Sequence, residues 1–216
     1  MRKVILALGV SLDGYIARPD DAIDFLIMPQ DFWTTVMAPF SKSVDAAIMG
    51  RKSYDVSMKM GGFGHAPKMD YYVFSRTQPE GRRDACTFTR KSPVEVIQAL
   101  RNQPDDKSGK KKDIWAMGGG DLARQLLIAD LVDEIHLGVV PVLIGEGISL
   151  FPAGFPQREF ELMENKSFSH DLVSLKYRRI REDEETEAKS RTASKDKAAR
   201  KHKMKSKAKK KTKSRR

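Results

Sequence analysis

The segment from Asp113 to Leu127 places the tightest constraint on what this chain can fold into. It runs Asp-Ile-Trp-Ala-Met-Gly-Gly-Gly-Asp-Leu-Ala-Arg-Gln-Leu-Leu. Ile114 to Met117 is a short apolar run of the kind that forms a buried strand. Three glycines follow at 118–120, and Asp121 opens a segment with Leu122, Leu126, Leu127 and Leu131 on one helical face. A strand that ends in glycines and turns into a helix suits an anion. Glycine lets the backbone come close, and the N–H groups of the first helical turn point at the ligand. By itself the pattern is equally a plain βα turn. It is not the spaced-glycine fingerprint of the doubly wound dinucleotide fold.

The same device occurs upstream in Ile48-Met-Gly-Arg-Lys-Ser-Tyr54. Gly50 permits close approach, Ser53 offers a hydroxyl, and Arg51 and Lys52 bring positive charge. The alternative is an ordinary helix start with two exposed cations. A third piece, Phe74-Ser-Arg-Thr77, sits at a strand end. Ser75 and Arg76 there fit a 2′-phosphate, or form a loop.

The remaining pattern alternates β and α. Val4–Val10 reads as a strand buried on both faces, with a turn at Ser11–Gly14 and extended chain at 15–17. Helices are expected at 31–41, 51–59, 94–102 and 121–129, the third capped by Ser92 and opened by Pro93. Strands are expected at 46–49, 71–74, 86–89, 113–117 and 134–140. Residues 160–165 and 172–180 read as a closing antiparallel pair. The N-terminal apolar run is short and Asp13 follows it at once, so it reads as the first strand and not as a signal peptide. No run is long enough to span a membrane. The one cysteine, Cys86, excludes an intramolecular disulfide and fits a reducing cytoplasm.

Charge divides the chain. Of 40 basic and 29 acidic residues, residues 188–216 hold fifteen and one, a net of +14. The first 187 residues keep 25 and 28, a net of −3. The basic character thus belongs to the end of the chain. Residues 182–216 show no apolar periodicity and are expected to be a disordered tail.

Taken together, the motifs resemble a known family. Met49-Gly-Arg-Lys-Ser-Tyr54, Val73-Phe-Ser-Arg-Thr77 and Met117-Gly-Gly-Gly120 resemble, in that order, elements of dihydrofolate reductase. Ser11-Leu-Asp-Gly-Tyr-Ile-Ala17, Leu126-Leu-x-x-x-Leu-Val-Asp-Glu134 and Pro141-Val-Leu-Ile-Gly145 resemble the reductase domain of the bifunctional riboflavin-biosynthesis enzyme, the RibD C-terminal domain. The resemblance covers about residues 3–180. It implies an α/β, dihydrofolate reductase-like fold over residues 1–181, with an about eight-stranded mixed sheet flanked by about four helices. It also implies NADPH bound along one edge of the sheet. Matched by position, Gly50, Arg51 and Ser53 would take the pyrophosphate, and Ser75 and Arg76 the adenosine 2′-phosphate. Met117, Gly118, Gly119, Gly120, Asp121 and Leu122 would lie under the nicotinamide ribose and pyrophosphate, with Ile16 and Ala17 near the nicotinamide. In this family the first two glycines of the turn can be joined by a cis peptide. The implied chemistry is hydride transfer to a small heterocyclic or ribosylamino-pyrimidine-type substrate, in a cytoplasmic homodimer.

The resemblance breaks at the proton donor. Dihydrofolate reductase protonates its pterin with a carboxylate on the first long helix, and the equivalent position falls near Thr34. Asp31 is the nearest acid, and it is equally a helix N-terminal charge. Asp13 and Glu146 are further candidate acids, although Asp-Gly is also good turn chemistry. The riboflavin-type reductases, which do not depend on that acid in the same way, suit the chain better. His136 lies inside a strand and reads as a core histidine. His65 falls in a glycine-rich loop that could border the substrate, and His170 falls in a hairpin turn. No His/Asp/Glu cluster has metal-ligand spacing.

The basic tail either neutralises nucleic-acid phosphates non-specifically or affects only solubility and unspecific adhesion, and the first reading gives an expectation. Full-length protein should retard duplex DNA at low salt without sequence preference, and removal of residues 188–216 should abolish this. If about ten phosphates are neutralised, affinity should fall by several orders of magnitude between about 50 and 200 mM salt. A gel-shift salt series on both forms checks it; retardation that survives truncation places the contact on residues 1–187.

Overall fold

Eleven strands form among the described residues: β1 (Val4–Ser11), β2 (Tyr15–Ala17), β3 (Val44–Gly50), β4 (Asp70–Phe74), β5 (Gly81–Arg83), β6 (Cys86–Thr89), β7 (Asp113–Ala116), β8 (Glu134–Val140), β9 (Ile148–Ser149), β10 (Phe160–Ser167) and β11 (Val173–Arg179). The computed structural model describes residues 1–63, 69–83, 85–103 and 112–181. These fall in one compact unit, Met1–Arg179, apart from Ile180 and Arg181. Nine strands make one sheet in the order β10-β11-β8-β1-β7-β3-β4-β6-β5, and β2 pairs with β9 separately. The six strands from β8 to β6 are mutually parallel. β11, β10 and β5 close the two edges in antiparallel pairings.

The apolar run of β1 explains its central place. Val4 and Leu6 face one layer while Ile5 and Ala7 face the other, and all four are buried. That is the pattern of a strand covered on both sides. Two helices cover the first face: α3 (Pro93–Asn102) and α4 (Gly120–Ile128). They bury Val96, Ile97, Leu100, Leu122, Leu126 and Leu127 against Val4, Leu6, Ile48 and Ile114. The opposite face carries the two remaining helices. One is α1, a continuous helical segment made of Gln30–Phe32, a π turn at Trp33–Met37, and Ala38–Ser43. The other is α2 (Arg51–Lys59). Pro39 has no N–H to donate back along α1, and the helix widens into its π turn just before it.

Expected elements coincide with observed ones to within two residues, and four helices flank the sheet as expected. The sheet has nine strands where about eight were expected. β5 is Gly81-Arg-Arg83, fully exposed and without an apolar position, so hydrophobic periodicity carries no trace of it. β9 is two residues long. His170 does occupy a hairpin turn, with φ 57°. Among the described residues no helix is long and apolar enough to cross a membrane. His65 and the tail 182–216 lie outside the described residues.

The amino-terminal edge of the sheet is tied by Asp133. Its carboxylate accepts the Val4 N–H at 2.8 Å and pairs with Arg101 at 2.7 Å. Its backbone accepts from Arg179 and donates to Val4. Its side chain thus joins β1 to α3, while its backbone, just before β8, joins β1 to β11. Asp133→Ala leaves the Arg101 guanidinium, 13% exposed, facing a space without its carboxylate. The expected loss is about 3–5 kcal/mol of folding stability, measured by urea denaturation of parent and variant.

Candidate functional site

At the opposite edge of the sheet, two strands run directly into helices through glycine. β3 ends at Gly50 and α2 begins at Arg51; β7 passes through Met117 and Gly118–Gly119 into α4. Gly50 and Gly119 are the N-cap residues, and neither helix has a side-chain cap. The contrast is α3, whose start is closed by a full capping box between Ser92 and Glu95. The first-turn N–H groups of α2 and α4 therefore have no side-chain acceptor and remain available to an anion. The two turns are fastened together: Gly50 N–H donates to Gly118 O at 3.2 Å and Met117 N–H to Ile48 O at 3.0 Å. The Gly118–Gly119 peptide is cis, and Gly118 sits at φ 98°, a region that favours glycine. A Cβ on Gly120 would lie 2.2 Å from the Ser149 carbonyl oxygen, so only glycine fits where α4 meets β9.

Both helix starts open on one groove of about 1140 Å³. Ile16 and Ala17 line it from β2, and Gly50, Arg51 and Ser53 from the β3–α2 turn. Ser75 and Arg76 line it at the end of β4; Met117, Gly119, Gly120, Asp121 and Leu122 complete the other wall. The structure thus brings onto one groove the residues read in the sequence as cofactor-binding, apart from Gly118, which does not line it and whose carbonyl accepts the Gly50 N–H. Arg51 is paired with Asp55, and Lys52 with Asp21 at 3.0 Å. Asp121 is held below the ordinary carboxylate range, chiefly by the hydrogen bond from Arg124. Ser75 is buried, and its hydroxyl accepts from Gln78 N–H.

The groove extends past Arg76 to Thr89, Arg90, Lys91 and Ser92 at the end of β6, which sequence reasoning missed. Arg90-Lys-Ser92 repeats the Arg51-Lys-Ser53 triplet after a strand, and that repetition was the available signal. Arg76, Arg90 and Lys91 form no ion pair among the described residues, so this end of the groove presents three cations, with Asp121 and Glu95 as the acids in the same wall.

A second, smaller cavity of about 190 Å³ lies between α1 and the sheet. Leu8, Gly9 and Met117 line both cavities, so the two adjoin at that point. The wall of the small cavity is largely apolar and aromatic: Met28, Phe32, Trp33, Val36, Phe40 and Trp115, with His136 on the strand side. His136 Nε2 is 2.9 Å from Glu134, and Lys3 holds the other Glu134 oxygen at 2.6 Å. The hydrogen bond to His136, followed by Lys3, pulls the buried Glu134 carboxyl down to about 2.

The candidate acids stand elsewhere. The Asp31 carboxylate accepts the Ser169 N–H and hydroxyl, both at 3.0 Å, and these bonds lower its pKa. The Asp13 carboxylate accepts from the Ser11 hydroxyl and the Ile144 and Gly145 N–H groups. Glu146 is exposed. None of the three lines either cavity. Thr34 is exposed as well, its hydroxyl turned back to the Gln30 carbonyl of its own helix.

Comparison with known proteins places this geometry among relatives. The model of the RibD C-terminal domain family matches residues 2–174. The Bacillus subtilis (strain 168) protein YyaP is 31% identical over 189 residues, covering 82% of this chain and 94% of its own. A solved structure from Shewanella sp. PV-4, assigned to riboflavin biosynthesis, superposes with a TM-score of 0.70 at 24% identity. It covers 84% of this chain and all of its own. The Thermotoga maritima diaminohydroxyphosphoribosylaminopyrimidine deaminase/5-amino-6-(5-phosphoribosylamino)uracil reductase superposes at 0.59 with 12% identity, over 83% of this chain and 57% of the larger protein.

The Glu134 site makes a prediction for pH. A carboxyl held low in the folded state contributes stability that is present above its unfolded pKa and lost as pH falls through its folded one. With Glu134 at about 2, that loss spans about pH 5 down to about pH 2. Glu134→Gln should be less stable than the parent at pH 7 and should show a shallower decline across this window. Chemical denaturation at several pH values checks it.

Proposed function

The chain belongs to the RibD C-terminal domain family, and from that membership we propose that it is an NADPH-dependent reductase acting on a small heterocyclic or ribosylamino-pyrimidine-type substrate in the cytoplasm. The observation that carries the cofactor assignment is the pairing of two uncapped helix starts on one groove that ends in unpaired cations. Phosphates suit both features: backbone N–H donors for the pyrophosphate, and a guanidinium for a terminal phosphate. The residues fit the group. Gly50 has open space where a Cβ would stand, and Gly119 has only Ser53 Oγ nearby, at 3.7 Å.

On this reading Gly50, Ser53 and the Gly119–Gly120 turn hold the pyrophosphate, and Ser75 and Arg76 hold the adenosine 2′-phosphate. Ile16, Ala17 and Met117 bound the nicotinamide end. The cofactor, when bound, supplies a hydride from its nicotinamide ring. The chain supplies orientation and exclusion of water. The small cavity adjoining the groove at Met117 is where the acceptor would lie. Among the described residues no Asp or Glu lines that cavity, which favours the riboflavin-type reductases over a dihydrofolate reductase with a relocated acid.

Arg76 decides between the two nicotinamide cofactors. A charge-assisted bond to the 2′-phosphate is worth about 1.5–3 kcal/mol, or about ten- to a hundredfold in affinity. NADPH should therefore bind that much more tightly than NADH, and Arg76→Ala should remove most of the gap. Calorimetric titration of both cofactors against parent and variant is the test; equal affinities in the parent overturn the assignment.

A further inference from the structure

The small cavity differs in chemistry from the groove it adjoins. Its volume of about 190 Å³ is that of a compact ligand, since an apolar cavity of ~150 Å³ holds one benzene ring. Among the described residues neither Lys nor Arg lines it, and His136 is its only ionisable side chain. A phosphate placed there would be buried with no Lys or Arg among the described residues to pair it, which is unfavourable. The facing aromatics, Phe32, Trp33, Phe40 and Trp115, offer stacking and edge contacts to a flat ring.

His136 is built to stay in one orientation. Glu134 holds Nε2, Lys3 holds Glu134, and Phe40 packs edge-on against the imidazole at 5.7 Å. Nδ1 has no hydrogen-bond partner among the described residues. Among the described residues Tyr71 Oη is the one enclosed side-chain nitrogen or oxygen without a partner, so Nδ1 reaches open space, and the space that His136 borders is the cavity. A ring nitrogen held by a carboxylate on one side and open to a ligand on the other has the geometry of a proton donor.

We propose that this cavity takes a compact, uncharged ring carrying no phosphate, and that His136 delivers to it the proton that accompanies hydride arrival; the inference rests on the reductase reading above. The carbon of a ring C=N or C=O bond gains the hydride from the reduced nicotinamide. The π pair moves to the nitrogen or oxygen, and the Nδ1 proton of the imidazolium goes to that atom. The imidazole is left neutral and regains a proton from water. The charged groups about His136 are Glu134 and Lys3, then Lys176 and Arg178, which stand opposite His136 and Glu134 on β11 and pair with Glu164 and Glu161. The packed face of α1 contributes apolar and aromatic side chains only.

Trp33 and Trp115, the chain's two tryptophans, both line this cavity, so their emission reports occupancy directly. The full chain is titrated with 7,8-dihydropterin, with dihydrofolate and with 5-amino-6-(5-phosphoribosylamino)uracil, and with NADPH in parallel. Dihydropterin should quench saturably, and the phosphoribosyl compound should bind at least about tenfold more weakly, because its phosphate finds no Lys or Arg along that wall. His136→Gln, or His136→Asn if the glutamine variant does not fold, should still bind the ring saturably in the quenching titration. NADPH oxidation with the ring should fall about 10²–10⁴-fold, with the pH dependence of the parent rate flattened. Equal or tighter binding of the phosphoribosyl compound, or no quenching by dihydropterin, overturns the ring assignment. A parent that binds the ring without reducing it, or a variant that keeps the parent rate, overturns the role of His136. If NADPH itself does not bind, the reductase reading beneath the inference fails instead.

Discussion

The parallel register of β1, β7, β3 and β4 is the constraint on which the rest of this structure depends. Parallel strands send their carboxyl ends to one edge, and the connections that follow must turn there. Three of those connections bear on the groove: Gly50 after β3, Ser75 after β4 and the triple glycine after β7. The bond from Gly50 N–H to Gly118 O then locks two of the turns into one surface. The groove follows from sheet topology and two helix starts, and it needs no long loop to build it.

The other edge of the sheet holds the register in place. Asp133 joins the first residue of β1 to α3 by its carboxylate. Arg2, buried beside it in sequence, donates to the Leu100 and Lys112 carbonyls and pairs with Asp45. Charged residues thus fasten the amino-terminal edge, and at the carboxyl edge the first-turn N–H groups of α2 and α4 have no side-chain cap. The two cavities divide labour in the same spirit. The groove carries cations, hydroxyls and free helix-start N–H groups suited to phosphates, while the small cavity is aromatic with a single ionisable group among the described residues.

Much of this was legible in the sequence because it is local. The helix 51–59 and the glycine turns follow from neighbouring residues: an apolar run, a glycine, then a helical stripe. What was not legible depends on contacts across the chain. Asp13 and Asp31 looked like candidate acids, yet their partners Gly145 and Ser169 lie more than 130 residues away in sequence. No spacing rule exposes such a pairing. His136 read as a core histidine because strand periodicity says only that a side chain points inward. That it borders a cavity depends on where the π turn of α1 leaves Trp33 and Val36. Arg90 and Lys91 were overlooked for another reason: a basic pair after a strand gains meaning only once β6 is known to lie beside β4.

The most direct test of the account is a crystal structure of the protein with NADP⁺ bound. The account predicts one cofactor molecule along the groove, its pyrophosphate against the starts of α2 and α4 and its 2′-phosphate at Ser75 and Arg76. It also predicts that the nicotinamide lies next to Met117, where the small cavity begins. A cofactor seated away from Gly50 and Gly119, or one that leaves the N–H groups of both helix starts to water, would contradict it.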